Sequence, residues 1–388
     1  MHRTVVSFRR LWLAAALACS SALGAHAAKR STPIIPPGPY AVGSSNIEVR
    51  APATTPIVEY LKGAVADGER HYLSSLLAHP EAALNFTLSV PLEPVELFGQ
   101  YAGQRLPMVL YVLYPTTPDN ARPDYRFPYE ATADNVFPHM QRAGERPVFA
   151  RASAKYPLIV FSHGYEGHGL WDLDHMKFLA AHGYIVASIF YGDGRADGRS
   201  NYGMRPLALR QAISYLLEHP DYRNAIDAGH VGISGSSFGG YATLATLGGR
   251  RGEWDVEPAD PRVKAGFGIV PALSYGDTPY FGAESKGLQR IRQPLMVVYG
   301  ERDTVVNASL VEHAVPQAGG VSSAVLLEGE EHILSQRAWP IVYTWEVLFF
   351  DSWLKHDARA RRKLYGSDSV AGEVVNRKTS QHLVTDVR

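Results

Sequence analysis

The chain has 388 residues, 46% of them hydrophobic, with 38 basic and 38 acidic side chains. Zero formal net charge supplies no long-range field for a nucleic acid or an anionic membrane, and the sequence shows neither a nucleic-acid motif nor a repeat period. A single cysteine, Cys19, excludes an internal disulfide framework, and the apolar content is enough for one large core.

Arg3, Arg9 and Arg10 precede an apolar run over residues 11–23, and Ala25-His26-Ala27 offers small side chains at a cleavage point, so residues 1–27 read as a signal peptide. The run is broken by Cys19, Ser20 and Ser21 and is shorter than the roughly 20 apolar residues a bilayer span needs. The expected product starts at Ala28, has no stable membrane span, and is exported to the periplasm or secreted. Lipoprotein anchoring at Cys19 is the lesser alternative, because Ala16-Leu17-Ala18 matches a lipidation site poorly, and the paired arginines are compatible with twin-arginine export. Residues 28–84 read as a Pro-rich leader followed by a loosely helical segment over 57–77, and residues 85–388 as the catalytic domain with a polar C-terminal tail.

The first convincing strand covers residues 106–114. A long polar, proline-dotted connection over 115–151 follows, placed to cover part of a cleft. Residues 156–162 (YPLIVFS) form a buried strand running into His163-Gly164-Tyr165-Glu166-Gly167, whose glycines allow close backbone approach to a substrate. The Tyr165 N–H is the candidate second oxyanion donor. Residues 172–182 predict a helix stopped by Gly183, and residues 184–190 the next strand. His163, His168, His175 and His182 recur about every seven residues, but they cross a strand end, a loop and a helix, so incidental placement outweighs a metal site. The glycine-rich run over 191–205 carries Arg195, Arg199 and Arg205 beyond a core strand, where open α/β sheets bind ligands. It reads as a solvated loop beside the site, with recognition of an anionic group as the alternative.

Residues 230–234 predict a strand and 238–247 a helix ended by Gly248 and Gly249. Between them Gly235-Ser236-Ser237-Phe238-Gly239 matches Gly-x-Ser-x-Gly, a sharp strand-to-helix turn that presents Ser237 as nucleophile and the Phe238 N–H as first oxyanion donor. A strand over 263–270 ends in Pro271-Ala272-Leu273 with no carboxylate, and residues 274–290 stand where a lid is often inserted. After a strand over 294–300, Asp303 is the candidate acid, with Glu301 and Asp277 as rivals and a helix cap for residues 307–314 as the duller role. After a strand over 323–327, His332 is the candidate base, with His313, set in a helix, as rival. Residues 340–356 predict a closing helix that buries Trp345, Leu348, Phe349 and Trp353, followed by a polar tail.

The runs "YPLIVFSHGYEGHG", "FLAAHGYIVASI", "HVGISGSSFGGYA", "PLMVVYGERDTVV" and "EGEEHI", in this order over residues 106–356, resemble α/β-hydrolases of the group that contains cutinase-like polyester hydrolases, dienelactone-hydrolase-like proteins and platelet-activating-factor-acetylhydrolase-like esterases. The resemblance implies an α/β-hydrolase fold, a mostly parallel central sheet with helices on both faces. It also implies a serine ester hydrolase with Ser237, Asp303 and His332 as triad, Tyr165 and Phe238 as oxyanion donors, and no metal or organic cofactor. Two departures bear on it. The acetylhydrolase-like acid follows the strand before, where Pro271-Ala272-Leu273 stands here, which favours Asp303. The aromatic residue common in polyester hydrolases is replaced by Ala272 and Leu273. A bounded pocket for small or short-acyl esters is therefore expected, with an amidase or peptidase using the same triad, or a binding protein on a hydrolase fold, as alternatives.

Overall fold

The computed structural model describes residues 30–45, 88–93, 95, 102–103, 105–126, 136–141, 145–165, 172–191, 198–250, 259–275 and 278–383. The expected signal peptide with Cys19, the helix expected over 57–77, Glu166, Gly167, His168, Arg195 and Asp277 lie outside them.

Strands β1 (Ser31–Pro33), β2 (Ala41–Ser45), β3 (Leu88–Pro91) and the long β4 (Arg105–Thr116) come first, then the short pair β5 (Tyr125–Arg126) and β6 (Val136–Phe137). Strands and helices then alternate: β7 (Tyr156–Ser162), α1 (Leu173–Ala181), β8 (Ile185–Phe190), α2 (Gly198–Glu218), β9 (Ile226–Ser236), α3 (Phe238–Thr246) and β10 (Val263–Ile269). The short ladder of β11 (Ser274–Tyr275) and β12 (Thr278–Pro279) and a 3-10 stretch, Ala283–Arg290, lead to β13 (Leu295–Gly300), α4 (Ala308–Ala314) and β14 (Ser322–Leu327). Helices α5 (Trp339–Trp353) and α6 (Ala358–Gly366) and strands β15 (Ser369–Ala371) and β16 (Asn376–His382) complete the order.

The central sheet runs β16-β14-β13-β10-β9-β7-β8-β4-β2, with β3 paired to β4. From β14 to β8 every pairing is parallel, while β16, β4 and β2 are antiparallel additions. Strands β7, β13 and β14 are buried along their whole length, as expected of parallel strands covered on both faces. Alternate residues feed opposite cores. Leu158 and Val160 join Leu295 and Val297 under α2 and α3, whereas Ile159 and Phe161 join Met296 and Val298 under α1 and α5. Among the described residues, no helix is long and apolar enough to cross a membrane.

Three stretches differ from the sequence reading. The leader is tied into the fold, because β1 pairs with β15 and β2 extends the sheet beyond β4. The polar tail carries α6 and an antiparallel edge strand, β16, anchored by the buried Asn376, whose amide accepts from Trp345 Nε1 (3.1 Å) and Val370 N (2.9 Å). Edge strands pair through their main chain, so polar side chains did not oppose them and no apolar period announced them. The solvated loop expected through Arg205 is instead helical from Gly198, and Arg205 is completely buried. The segment after β10 packs Tyr280 and Phe281 onto Tyr241 of α3, with ring centroids 5.2 and 5.5 Å apart.

His175 of α1 and Glu346 of α5, both fully buried, are hydrogen-bonded between the helices, with Asp172 at the start of α1 beside them. Burial by itself lowers the His175 imidazole, but the charge and hydrogen bond of Glu346 outweigh it and raise the pKa above the usual value. Burial also pushes the Asp172 carboxyl up to about 6 from 3.8, with His175 opposing and Glu346 adding to the shift. Both folded groups hold protons that the unfolded chain releases, so this cluster loses stability as pH rises, for Asp172 between about 4 and about 6. Asp172→Asn removes the carboxyl. It should raise unfolding free energy by on the order of 2 kcal/mol at pH 7.5 and by much less at pH 4, read from urea denaturation at both pH values.

Candidate active site

Ser237 sits between β9 and α3 with φ +52° and ψ −118°, a strained region for a residue with a Cβ. Its backbone is held on both sides: Ser237 N donates to Ile269 O at 2.9 Å, and Ser237 O accepts from Ala272 N at 2.8 Å and Tyr241 N at 3.1 Å. The flanking glycines are required by space. A Cβ on Gly239 would lie 1.8 Å from Ser162 O, and one on Gly235 would lie 2.4 Å from Gly239 O. Both obstacles are backbone atoms that cannot swing aside. Gly239→Ala should therefore cost several kcal/mol, about 3 or more, or prevent folding, and thermal unfolding together with soluble yield checks this.

Asp303 follows the carboxyl end of β13 and is nearly buried, at 5% exposure. Its Oδ1 accepts from Val305 N (2.8 Å) and Val306 N (2.7 Å), while Oδ2 lies 2.8 Å from His332 Nδ1. The helix-cap role belongs elsewhere, since Asn307 caps α4 by accepting from Ser309 N. Glu301 points away and accepts from Gly329 N at 2.8 Å, pinning the loop after β14 to the loop after β13. His313 is exposed on α4.

His332 lies on the loop after β14, and its Nε2 is 2.8 Å from Ser237 Oγ. A carboxylate on Nδ1 keeps the proton there and leaves Nε2 to accept from the serine hydroxyl. The loop is shaped by a residue the sequence reading passed over. Glu330 is buried, accepts from Ser335 N (2.7 Å) and Ser335 Oγ (2.8 Å), and its carbonyl takes Arg302 N at 2.8 Å. Nothing in one-dimensional spacing separates Glu330 from its neighbours Glu328 and Glu331.

The turn after β7 runs beside the serine: a Cβ built on Gly164 would lie 3.5 Å from Ser237 Cβ. Tyr165 follows on that turn, half exposed, its ring 6.0 Å edge-on from that of Phe238. Phe238 is the first residue of α3, so its N–H lies in the first turn, where the helix itself supplies no acceptor. Of the spaced histidines, His163 is buried behind this turn, His175 pairs with Glu346, and His182 contacts Pro36 O at 3.1 Å, so the three do not converge.

No family model matches the chain. A Schizosaccharomyces pombe protein provisionally named a dipeptidyl aminopeptidase is 32% identical over 130 residues, covering 29% of this chain and 15% of its own length. A platelet-activating factor acetylhydrolase from Bos taurus is 25% identical over 205 residues, 39% of this chain and 41% of its own. The chain thus spans less than half the length of either relative. The mostly parallel sheet covered by helices has the architecture of the α/β-hydrolase fold, and the likeness to these two proteins fits that superfamily.

Proposed function

We propose that the chain is a serine carboxylic-ester hydrolase that works through an acyl-enzyme on small or short-acyl esters. The observation that carries this reading is the unbroken hydrogen-bond series from Asp303 through His332 to Ser237, ending on a hydroxyl held at a strained turn. His332 Nε2 takes the hydroxyl proton as Ser237 Oγ attacks the ester carbonyl, and Asp303 holds the imidazole in the required tautomer and stabilises its charged form. The Tyr165 and Phe238 amides hold the oxyanion. The imidazolium then gives its proton to the leaving alcohol, and water repeats the sequence to release the acid. The aromatic packing of Tyr280 and Phe281 on α3 supports a bounded pocket rather than an open groove. Export belongs to the same reading, and a product beginning at Ala28 in periplasmic or culture fractions is its check.

A fluorophosphonate probe should label the wild type and leave Ser237→Ala unlabelled, since the serine oxygen displaces fluoride only when activated. Failure to label would end the serine-hydrolase reading. The relative named as an aminopeptidase favours a second reading, amide cleavage by the same residues. Matched ester and anilide substrates separate the two: the ester should be ahead in kcat/KM by about 100-fold or more, with turnover falling as the acyl chain lengthens. An anilide rate equal to the ester rate would replace the proposal with the peptidase reading.

A further inference from the structure

Arg205 lies fully buried behind the turn that follows β7, an unusual place for a guanidinium. Its Nη2 donates to Gly164 O at 3.0 Å and its Nη1 to His163 O. Its plane is gripped by the rings of Tyr191 and Phe238, 4.5 and 4.8 Å away. Gly164 O has a second donor. Tyr191 N donates to His163 Nε2 at 3.5 Å, which leaves the imidazole proton on Nδ1, 2.8 Å from Gly164 O.

The carbonyl so held belongs to the same peptide unit as the N–H of Tyr165. In a planar trans peptide the C=O and N–H point in opposite directions, so fixing one fixes the other. A cation on the carbonyl oxygen also draws charge from the nitrogen and strengthens the N–H as a donor. The geometry points to Arg205 as a positioning residue that aims and polarises the Tyr165 N–H toward the oxyanion. This rests on the ester-hydrolase reading, and it replaces any role for Arg205 in touching substrate. Residues at both proposed donors are joined by it, because Phe238 supplies one amide and one face of the guanidinium clamp.

A role through the oxyanion predicts a selectivity that mere structural support does not. Sulfur accepts hydrogen bonds weakly, so a thionoester gains little from the donors that an oxoester needs. Lysine keeps the charge at position 205 but has one ammonium where the fork spans two carbonyls. Arg205→Lys should lower kcat for an oxoester about 10- to 100-fold, less than deleting a donor, leave KM within about twofold, and leave thionoester turnover nearly unchanged. In a chain that already carries Tyr165→Pro, which removes the N–H, Arg205→Lys should cost less than about twofold more. If Arg205→Lys does not unfold cooperatively, His163→Gln, which alters the other donor to Gly164 O, should show the same selective loss.

Equal losses on both substrates, or no loss, would overturn the inference in favour of a purely structural arginine. Full oxoester selectivity in Tyr165→Pro would overturn it too, while leaving the hydrolase reading standing. A wild type that neither takes the fluorophosphonate label nor turns over the oxoester would instead remove the hydrolase reading, and this inference with it.

Discussion

Replacing Ser237 by alanine should lower ester turnover by about 10⁴-fold or more, because nucleophile, base and orienting acid act as a unit and the remainder of the site stabilises only charge. The protein should stay folded, since the contacts holding position 237 to Ile269, Ala272 and Tyr241 are made by its backbone. A companion substitution sharpens the test. Ser237→Gly should be equally inactive yet more stable, by about 1 kcal/mol, because glycine adopts a φ of +52° without strain. Steady-state turnover and thermal unfolding of both variants measure the two effects. Activity at even a tenth of wild type in either would remove Ser237 from the proposed chemistry. Ser236→Ala, which alters the adjacent hydroxyl, should still take the fluorophosphonate label.

Asp303→Asn should cost about 10³- to 10⁴-fold in kcat with little change in fold, and the hydrogen bonds show why. Oδ1 is committed to Val305 N and Val306 N, so the asparagine carbonyl will keep that position and its NH₂ will face His332 Nδ1. A donor there requires Nδ1 to accept, which moves the imidazole proton to Nε2, the atom that faces Ser237 Oγ. The base is then blocked rather than removed. The serine keeps its neighbours and loses its proton acceptor. Crystals of Asp303→Asn should show His332 in place, and a turnover within tenfold of wild type would argue that another group orients it.

The positions of Ser237, Asp303 and His332 in the fold could be read in one dimension because each follows the carboxyl end of a core strand. The run from 294 to 300 is apolar and the run from 323 to 327 is apolar after its first serine, so the residues just beyond them, Asp303 and His332, stand out as polar groups at strand ends. The turn at Gly235-Ser236-Ser237-Phe238-Gly239 is equally local, since the glycine spacing reflects collisions within a few residues and with one neighbouring strand.

Only the tertiary structure shows which of Asp303 and Glu301 meets His332. Both carboxylates follow β13 two residues apart, and only the approach of the β14 loop brings His332 to one and Gly329 to the other. The same holds for Arg205. A glycine-rich, arginine-bearing stretch reads as solvated because charge normally seeks water, and nothing in its composition tells that helix α2 starts within it and turns the guanidinium toward two carbonyls of a distant turn. Strands β2 and β16 were hidden for the opposite reason: edge pairing satisfies main-chain groups and asks little of side chains. Local sterics and apolar periodicity are written in neighbouring residues, whereas a buried charge or an edge strand is fixed by partners far away in the chain, and only the folded molecule brings those partners together.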